Sequence, residues 1–348
     1  MVNRVWILGA GFSVPLGGPL LRDLLSMRTW KRHRASGQLS GHPWGQPWAA
    51  VYVLYHYGRD FPEGYCFDQP GDTLGRGEKH FTHAEDFLVR LEEDDWDFFA
   101  ELWAGAGKAM SVELGDLFPR EKLLRAARFL LAIDTQDYLE RADVMSSTWG
   151  PYQRWARCLN DQDAVVTFNY DTVVERVKGM LNIAGIGSDM TNAVPMLCKL
   201  HGSVDWELDE HGVIHRGDYN AIIKTSAAGP LIGIPGKSKD EFGDKPPWHR
   251  TRAALTEASE VYIMGYSLPP SDAASRDLIL RALTLNTSSK LDITLVLGDD
   301  ERASHRLESM LGYALRGLVN QPKIHNTKLF VEDFMDAYAL RLNRPGQR

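Results

Sequence analysis

Arg4-Val5-Trp6-Ile7-Leu8-Gly9-Ala10-Gly11-Phe12-Ser13 is the stretch that decides the fold. An apolar run of strand length ends in Gly-Ala-Gly, and a helix-like pattern follows within a few residues. A nucleotide-binding crevice opens this way in a parallel α/β sheet. Glycine lets backbone N–H groups approach a phosphate closely, and a helix N-terminus behind the turn adds favourable dipole charge. The dinucleotide fingerprint asks for a third glycine at position 14, where this chain has Val14. The turn therefore departs from that of a hydride-transfer dehydrogenase.

The rest of the composition narrows the class. At 348 residues the chain can bury a large core, as one elaborated α/β domain or as two domains. The formal charge of −7 speaks against a nucleic-acid surface, so no direct nucleic-acid binding is expected. Cys66, Cys158 and Cys198 lie far apart with no Cys-x-x-Cys pair, so neither a zinc site nor a disulfide framework is encoded. His80, His83 and Glu85 read as loop and capping residues, and no metal is expected. No run reaches the ~18 apolar residues of a membrane span. The N-terminal apolar run goes straight into the glycine turn, unlike a signal peptide. A cytoplasmic location without membrane association is the expectation.

Along the chain, Pro19 is placed to start a helix through Leu20, Leu21, Leu24 and Leu25. Residues 29–159 read as a mainly helical insertion after the first strand. It contains a capping box at Thr82-His83-Ala84-Glu85 and a helical pattern through Leu123, Ala127, Leu130 and Tyr138. Residues 1–28 and 160–348 then form one Rossmann-like domain, a parallel sheet with helices on both faces. Its later strands are Ala164–Phe168, Met196–Leu200, Val261–Met264 and Ile293–Leu297, with a possible edge strand at Lys328–Val331. Val204–Glu207 and Val213–His215 read as a hairpin, residues 229–248 as a glycine- and proline-rich loop, and Ser271 as a helix cap.

Each main strand ends in a polar or glycine cluster: Gly9-Ala10-Gly11, Asn169-Tyr170-Asp171, His201-Gly202, Gly265-Tyr266-Ser267 and Gly298-Asp299-Asp300. The carboxyl ends of parallel strands share one edge, and ligands bind in the crevice there. Turn-forming residues are common after buried strands. An Asn and a His among these turns nevertheless favour a site.

The pieces Gly9-Ala10-Gly11-Phe12-Ser13, Thr167-Phe168-Asn169-Tyr170-Asp171, Lys199-Leu200-His201-Gly202-Ser203 and Gly265-Tyr266-Ser267-Leu268-Pro269 come in one order. In that order the chain resembles a sirtuin-like NAD-binding domain, in particular the bacterial branch found in anti-phage defence systems. The resemblance implies that Gly9, Ala10, Gly11 and Ser13 hold the NAD+ pyrophosphate and neighbouring ribose. Asn169 matches the asparagine beside the nicotinamide ribose, with Asp171 on the same turn, and His201 matches the catalytic histidine. Gly265 and Ser267 match a second phosphate- and ribose-contacting turn, and Asp299 sits where the family contacts the adenosine ribose. The four-cysteine zinc module of deacylating sirtuins has no counterpart here, nor does a recognisable groove for an acyl-lysine peptide.

The resemblance thus implies NAD+ as a substrate to be hydrolysed, with Asn169, His201 and Asp171 as catalytic candidates. A neutral histidine can act as a base near physiological pH. An enzyme that depletes NAD+ must be restrained, so a homo-oligomer or a partner such as an ATPase or an Argonaute-type protein is expected. Protein deacylation, ADP-ribosyl transfer and non-catalytic sensing of an ADP-ribose-type nucleotide are the competing readings. An S-adenosylmethionine methyltransferase would share the glycine turn but leave Asn169 and His201 unexplained.

Overall fold

The structure, a computed structural model, describes residues 2–20, 24, 120–186, 194–225, 229–233, 245–269 and 272–342. The expected helix through Leu20, Leu21, Leu24 and Leu25 lies mostly outside the described residues. So do the capping box at Thr82, the Ser271 cap and most of the 229–248 loop.

The chain divides into two compact units, Met1–Leu20 with Gln136–Ser203 and Lys239–Arg348, and Leu21–Thr135 with Val204–Ser238. The first holds a seven-stranded sheet. Its strands are β1 (Arg4–Leu8), β2 (Asp163–Thr167), β3 (Asn182–Ile183), β4 (Met196–Lys199), β7 (Glu260–Met264), β8 (Asp292–Val296) and β9 (Lys323–Asn326). In the second unit, β5 (Trp206–Leu208) and β6 (Ile214–Arg216) form the expected antiparallel hairpin, which α4 (Tyr219–Thr225) follows in the chain. Its tip is closed by Asp209, which accepts from the N–H groups of His211 and Val213 at 2.9 and 2.8 Å.

All pairings in the large sheet are parallel, in the order β3-β4-β2-β1-β7-β8-β9. The chain leaves β1 to one side for β2 and β4 and later returns to the other side for β7. That reversal is a topological switch point, with its crevice beyond the carboxyl ends of β1, β2 and β7. This is the Rossmann-like α/β architecture that the apolar runs imply.

Alternation along β1 explains how the sheet is covered. Val5 and Ile7 face one layer, built by α5 (Pro246–Glu257), α6 (Ala273–Thr284) and α7 (Glu301–Ala314). Trp6 and Leu8 face the other, where α2 (Gly150–Cys158), α3 (Val173–Lys178) and α8 (Val331–Leu342) pack. A strand buried on both faces has no polar side to show, so it reads as a continuous apolar run. Trp6 anchors the second layer. It stacks on Tyr262 at 4.2 Å, meets Trp155 edge-on at 5.6 Å, and donates its indole N–H to Asp163 at 2.9 Å. Arg4 holds the same carboxylate through two hydrogen bonds of 2.8 and 2.7 Å, so the buried Asp163 is fully paired.

One strand expectation needs correction, and one strand was not expected at all. The edge strand lies at Lys323–Asn326, pairing Ile324 with Ile293, and not at Lys328–Val331. Leu329-Phe330-Val331 reads as strand because it is apolar, yet Lys328 turns the backbone at φ 53° and Val331 opens α8. The two-residue β3 is too short to leave a pattern. Of residues 29–159, those up to 119 lie outside the described residues. The remainder is helical, with α1 at Arg120–Glu140, and brings Trp149, Tyr152 and Trp155 onto the sheet.

Candidate active site

The crevice begins where β1 and β7 end. The Gly9 N–H donates to Met264 O at 3.1 Å, and the Gly11 N–H to Gly265 O at 2.9 Å. A Cβ on Gly9 would lie 2.6 Å from Tyr266 Cβ, and one on Gly11 would lie 2.7 Å from Gly265 Cα. Gly265 has φ +61°, and a Cβ there would lie 2.3 Å from the Phe12 nitrogen. The glycines therefore serve first to press two backbone turns together. The Ser13 N–H is also engaged, with Ala10 O at 3.0 Å, so of Gly9, Ala10, Gly11 and Ser13 only Ala10 keeps an unengaged N–H among the described residues. The turn continues into single 3-10 turns, Ala10–Phe12 and Val14–Leu16, and not directly into an α-helix. Pro15 lacks an N–H and Gly17 turns left-handed at φ 95°, which stops the coil there.

Tyr266 crosses over Gly9 and stacks on Phe168, with centroids 4.0 Å apart and planes 14° from parallel. This buried pair spans the end of β1 from its two neighbours, β7 and β2. Asn169 follows Phe168. Its Nδ2 donates to Gly9 O at 3.0 Å and to Ser13 Oγ at 3.1 Å. Because Gly9 O can only accept, the orientation of the amide is fixed. Both amide protons are spent, and Oδ1 remains as an acceptor. An asparagine amide can both donate and accept, and here the geometry leaves the acceptor.

Asp171 is buried under the same turn. Its Oδ2 accepts from the Ser13 hydroxyl at 2.7 Å, and its Oδ1 from the Val173 N–H at 3.1 Å. Both oxygens thus bind Ser13 and the start of α3, which makes Asp171 a brace for Asn169's partner. Beneath lies Lys199, 1% exposed, whose ammonium donates to the Asp171 carbonyl and to Glu175 Oε1 at 3.0 Å. The Tyr138 phenol lies beside Ser13 and Asp171 and is pushed up, by burial first and then by the Asp171 charge.

Burial pushes the Asp171 carboxyl above the usual carboxylate range, against the opposing pull of Lys199, Ser13 and the Val173 N–H. An acid raised in this way holds its proton more tightly when folded. Its contribution to stability is full below the unfolded value, about 3.9, and falls as pH rises through the folded one. We expect the Asp171 carboxyl carbon to titrate above pH ~3.9 in a 13C NMR titration of the folded protein. A midpoint at or below that value contradicts the geometry.

His201 follows β4 and is 5% exposed. Its Nε2 lies 3.2 Å from Asp272 Oδ2 and 3.3 Å from Ser275 Oγ. Phe168 packs edge-on against the ring at 5.2 Å, and Tyr170 lies at 6.2 Å. Asp272 is 1% exposed and accepts the Tyr266 hydroxyl at 2.7 Å on the same Oδ2. It occupies the N-cap position of α6 without a side-chain capping bond, so its carboxylate is committed to Tyr266 and His201. Ser, His and Asp together invite comparison with a nucleophilic triad. Such a triad needs its serine and its aspartate on opposite ring nitrogens, whereas both contacts here fall on Nε2. Asp272 and Ser275 did not stand out in the sequence, and Tyr266 stood out only as part of its turn. The one signal was an acid directly beside the expected cap, in Tyr266-Ser267-Leu268-Pro269-Pro270-Ser271-Asp272.

The remaining expected residues spread outward. Ser267 is half-buried and its carbonyl accepts from Arg306 at 2.8 Å. It lines a groove of about 1030 Å³ with Gly298, Asp300, Arg306, Asn326 and Lys328. Asn169 and His201 do not line that groove. Asp299 is exposed, and Gly298 and Asp300 line the groove in its place. Asp300 caps α7 by accepting from the Ala303 N–H at 2.8 Å. Among the described residues there is no cluster of metal-ligating side chains and no helix long and apolar enough to cross a membrane.

No family model and no curated protein matches the chain. Several solved structures are similar to it. The structure of Sir2Tm bound to a propionylated peptide shares 11% identity at a TM-score of 0.37, covering 97% of this chain and 92% of that one. A structure on the basis of sirtuin substrate affinity shares 12% at 0.38, with the same coverage of each chain. Sir2 in complex with the inhibitor EX-527, 2′-O-acetyl-ADP-ribose and a deacetylated p53 peptide shares 13% at 0.34, covering 97% and 93%.

Proposed function

We propose that this chain is an NAD+ glycohydrolase, releasing nicotinamide and ADP-ribose, and that it serves as an NAD+-depleting effector of anti-phage defence. The supporting observation is a pair of oriented polar groups at the ends of β2 and β4. Asn169 offers only its amide oxygen, and His201 is held through Nε2 by Asp272.

The overall reaction converts NAD+ and water to nicotinamide, ADP-ribose and a proton. The C1′–N bond breaks and its electron pair leaves with nicotinamide, whose positive charge is thereby neutralised. The protein has to orient the ribose and admit one water. Asn169 Oδ1 accepts a hydrogen bond from a ribose hydroxyl or from that water. His201 takes the proton as water adds to C1′. Gly9, Ala10, Gly11, Ser13, Gly265 and Ser267 form the wall along which the rest of the dinucleotide lies. Ala10 contributes the available N–H, and the groove beyond Ser267 takes the adenosine end. Asp171 serves through Ser13 as a positioning residue. Control in a healthy cell falls to assembly, with copies of this chain or with a partner such as an ATPase or an Argonaute-type protein.

Asn169→Asp tests the orientation argument. A carboxylate has no proton for Gly9 O, so the turn must open or the acceptor must rotate away. We expect kcat/KM for nicotinamide release to fall about 5- to 150-fold, in keeping with ~1–3 kcal/mol for an unsatisfied buried group. Unchanged kinetics would remove Asn169 from the mechanism. Labelled ADP-ribose separates the competing readings. Its appearance on protein favours transfer, and tight NAD+ binding without release in any assembly favours a sensor.

A further inference from the structure

The geometry points to Asp272 as the positioning residue that sets which nitrogen of His201 acts: it holds the ring as the Nε2–H tautomer and leaves Nδ1 to take the proton. A neutral imidazole has one N–H and one lone pair, and the hydrogen bond made by one nitrogen decides the state of the other. An ionised carboxylate can only accept, so Asp272 Oδ2, 3.2 Å away, calls for a proton on Nε2. The opposite ring orientation would place a carbon against that carboxylate. Phe168, edge-on at 5.2 Å, also packs against the ring.

The carboxylate is itself fixed. Tyr266 donates to the same oxygen at 2.7 Å, and Tyr266 is clamped by its stack on Phe168 at 4.0 Å. Leu268, between Tyr266 and Asp272, adopts the left-handed region at φ 49° and is buried, 2% exposed. An L-residue pays for that conformation, so it persists only where its surroundings enforce it. Here it bends the chain so that α6 starts with Asp272 facing His201. Among the described residues, Asp272 is the charged group against the ring, with Tyr170 and, through Asp272, Tyr266 as the titratable neighbours.

The tautomer assignment stands on this geometry alone, whereas the role of Nδ1 as base rests on the NAD+ reading. Long-range 1H–15N correlation of 15N-labelled protein above pH 8 reads the two ring nitrogens of each histidine. His201→Ala identifies the His201 signals by their disappearance. We expect a protonated Nε2 and a bare Nδ1 in the native protein. Asp272→Ala should give a mixture of tautomers, and Asp272→Asn, which can keep an oxygen acceptor, should largely retain the native one. In kinetics, Asp272→Ala should lower kcat about 10–100-fold, the scale on which carboxylate partners of metal-bound histidines act, with KM little changed and partial rescue by Asn. An Nδ1–H tautomer in the native protein overturns the proposal, and so does an Asp272→Ala spectrum that matches it. If the tautomers behave as expected but the native protein in all its assemblies leaves NAD+ intact, the NAD+ reading fails and the role of Asp272 in orienting His201 stands.

Discussion

His201→Ala is expected to lower the rate of nicotinamide release about 10²–10⁴-fold, the usual worth of a positioned general base. On the proposed reading the effect should fall on kcat, because that reading spreads dinucleotide binding over the turns after β1, β7 and β8 and has His201 act on the reacting water. The substitution also removes a buried ring that touches Phe168, Asp272 and Ser275. His201→Gln is therefore the companion variant, since it keeps a polar side chain opposite Asp272 but cannot accept the proton. Both variants should bind NAD+ within a few-fold of the native protein, as measured by calorimetry. Retained cleavage in His201→Gln would remove the histidine from the chemistry.

Gly265→Ala should be among the most damaging single-methyl changes in the fold. The new Cβ would lie 2.3 Å from the Phe12 nitrogen and 2.4 Å from the Gly11 carbonyl carbon, and these are backbone atoms that cannot swing aside. Overpacking of this kind costs about 1–3 kcal/mol, and a left-handed backbone at an L-residue adds about 1–2 kcal/mol. Destabilisation of roughly 2–5 kcal/mol is expected, read as a lower urea midpoint. Gly312 is the control, because it lies inside α7 with nothing within 4 Å of its Cβ position. Gly312→Ala should stabilise by about 0.5–1 kcal/mol. Equal effects at both positions would show that the Gly11–Gly265 contact is not close-packed.

These two sites mark what the sequence makes legible. Strands buried on both faces have to be apolar throughout, so β1, β2, β4, β7 and β8 stand out, and the turns at their ends name Asn169 and His201. The reason for each glycine does not stand out. The Gly-Ala-Gly turn looks like a phosphate cradle, yet Gly9 and Gly11 are glycines because Tyr266 and Gly265 occupy the space where their side chains would go. Local pattern carries no record of a partner that arrives 257 residues later for Gly9 and 254 residues later for Gly11. Asp272 escaped for a similar reason. Its contact with His201 depends on the positive φ of Leu268, and a leucine gives no warning of a left-handed turn. Asn169 is legible as a candidate site residue, but only the carbonyl of Gly9 shows which end of its amide is left as acceptor.

The most direct test of the account is cleavage of NAD+ in H2 18O by the full chain, alone and mixed with the products of its neighbouring genes. The account predicts one nicotinamide released for each NAD+ consumed, with free ADP-ribose carrying a single 18O at C1′. ADP-ribose attached to protein, or no nicotinamide from any assembly, would contradict it.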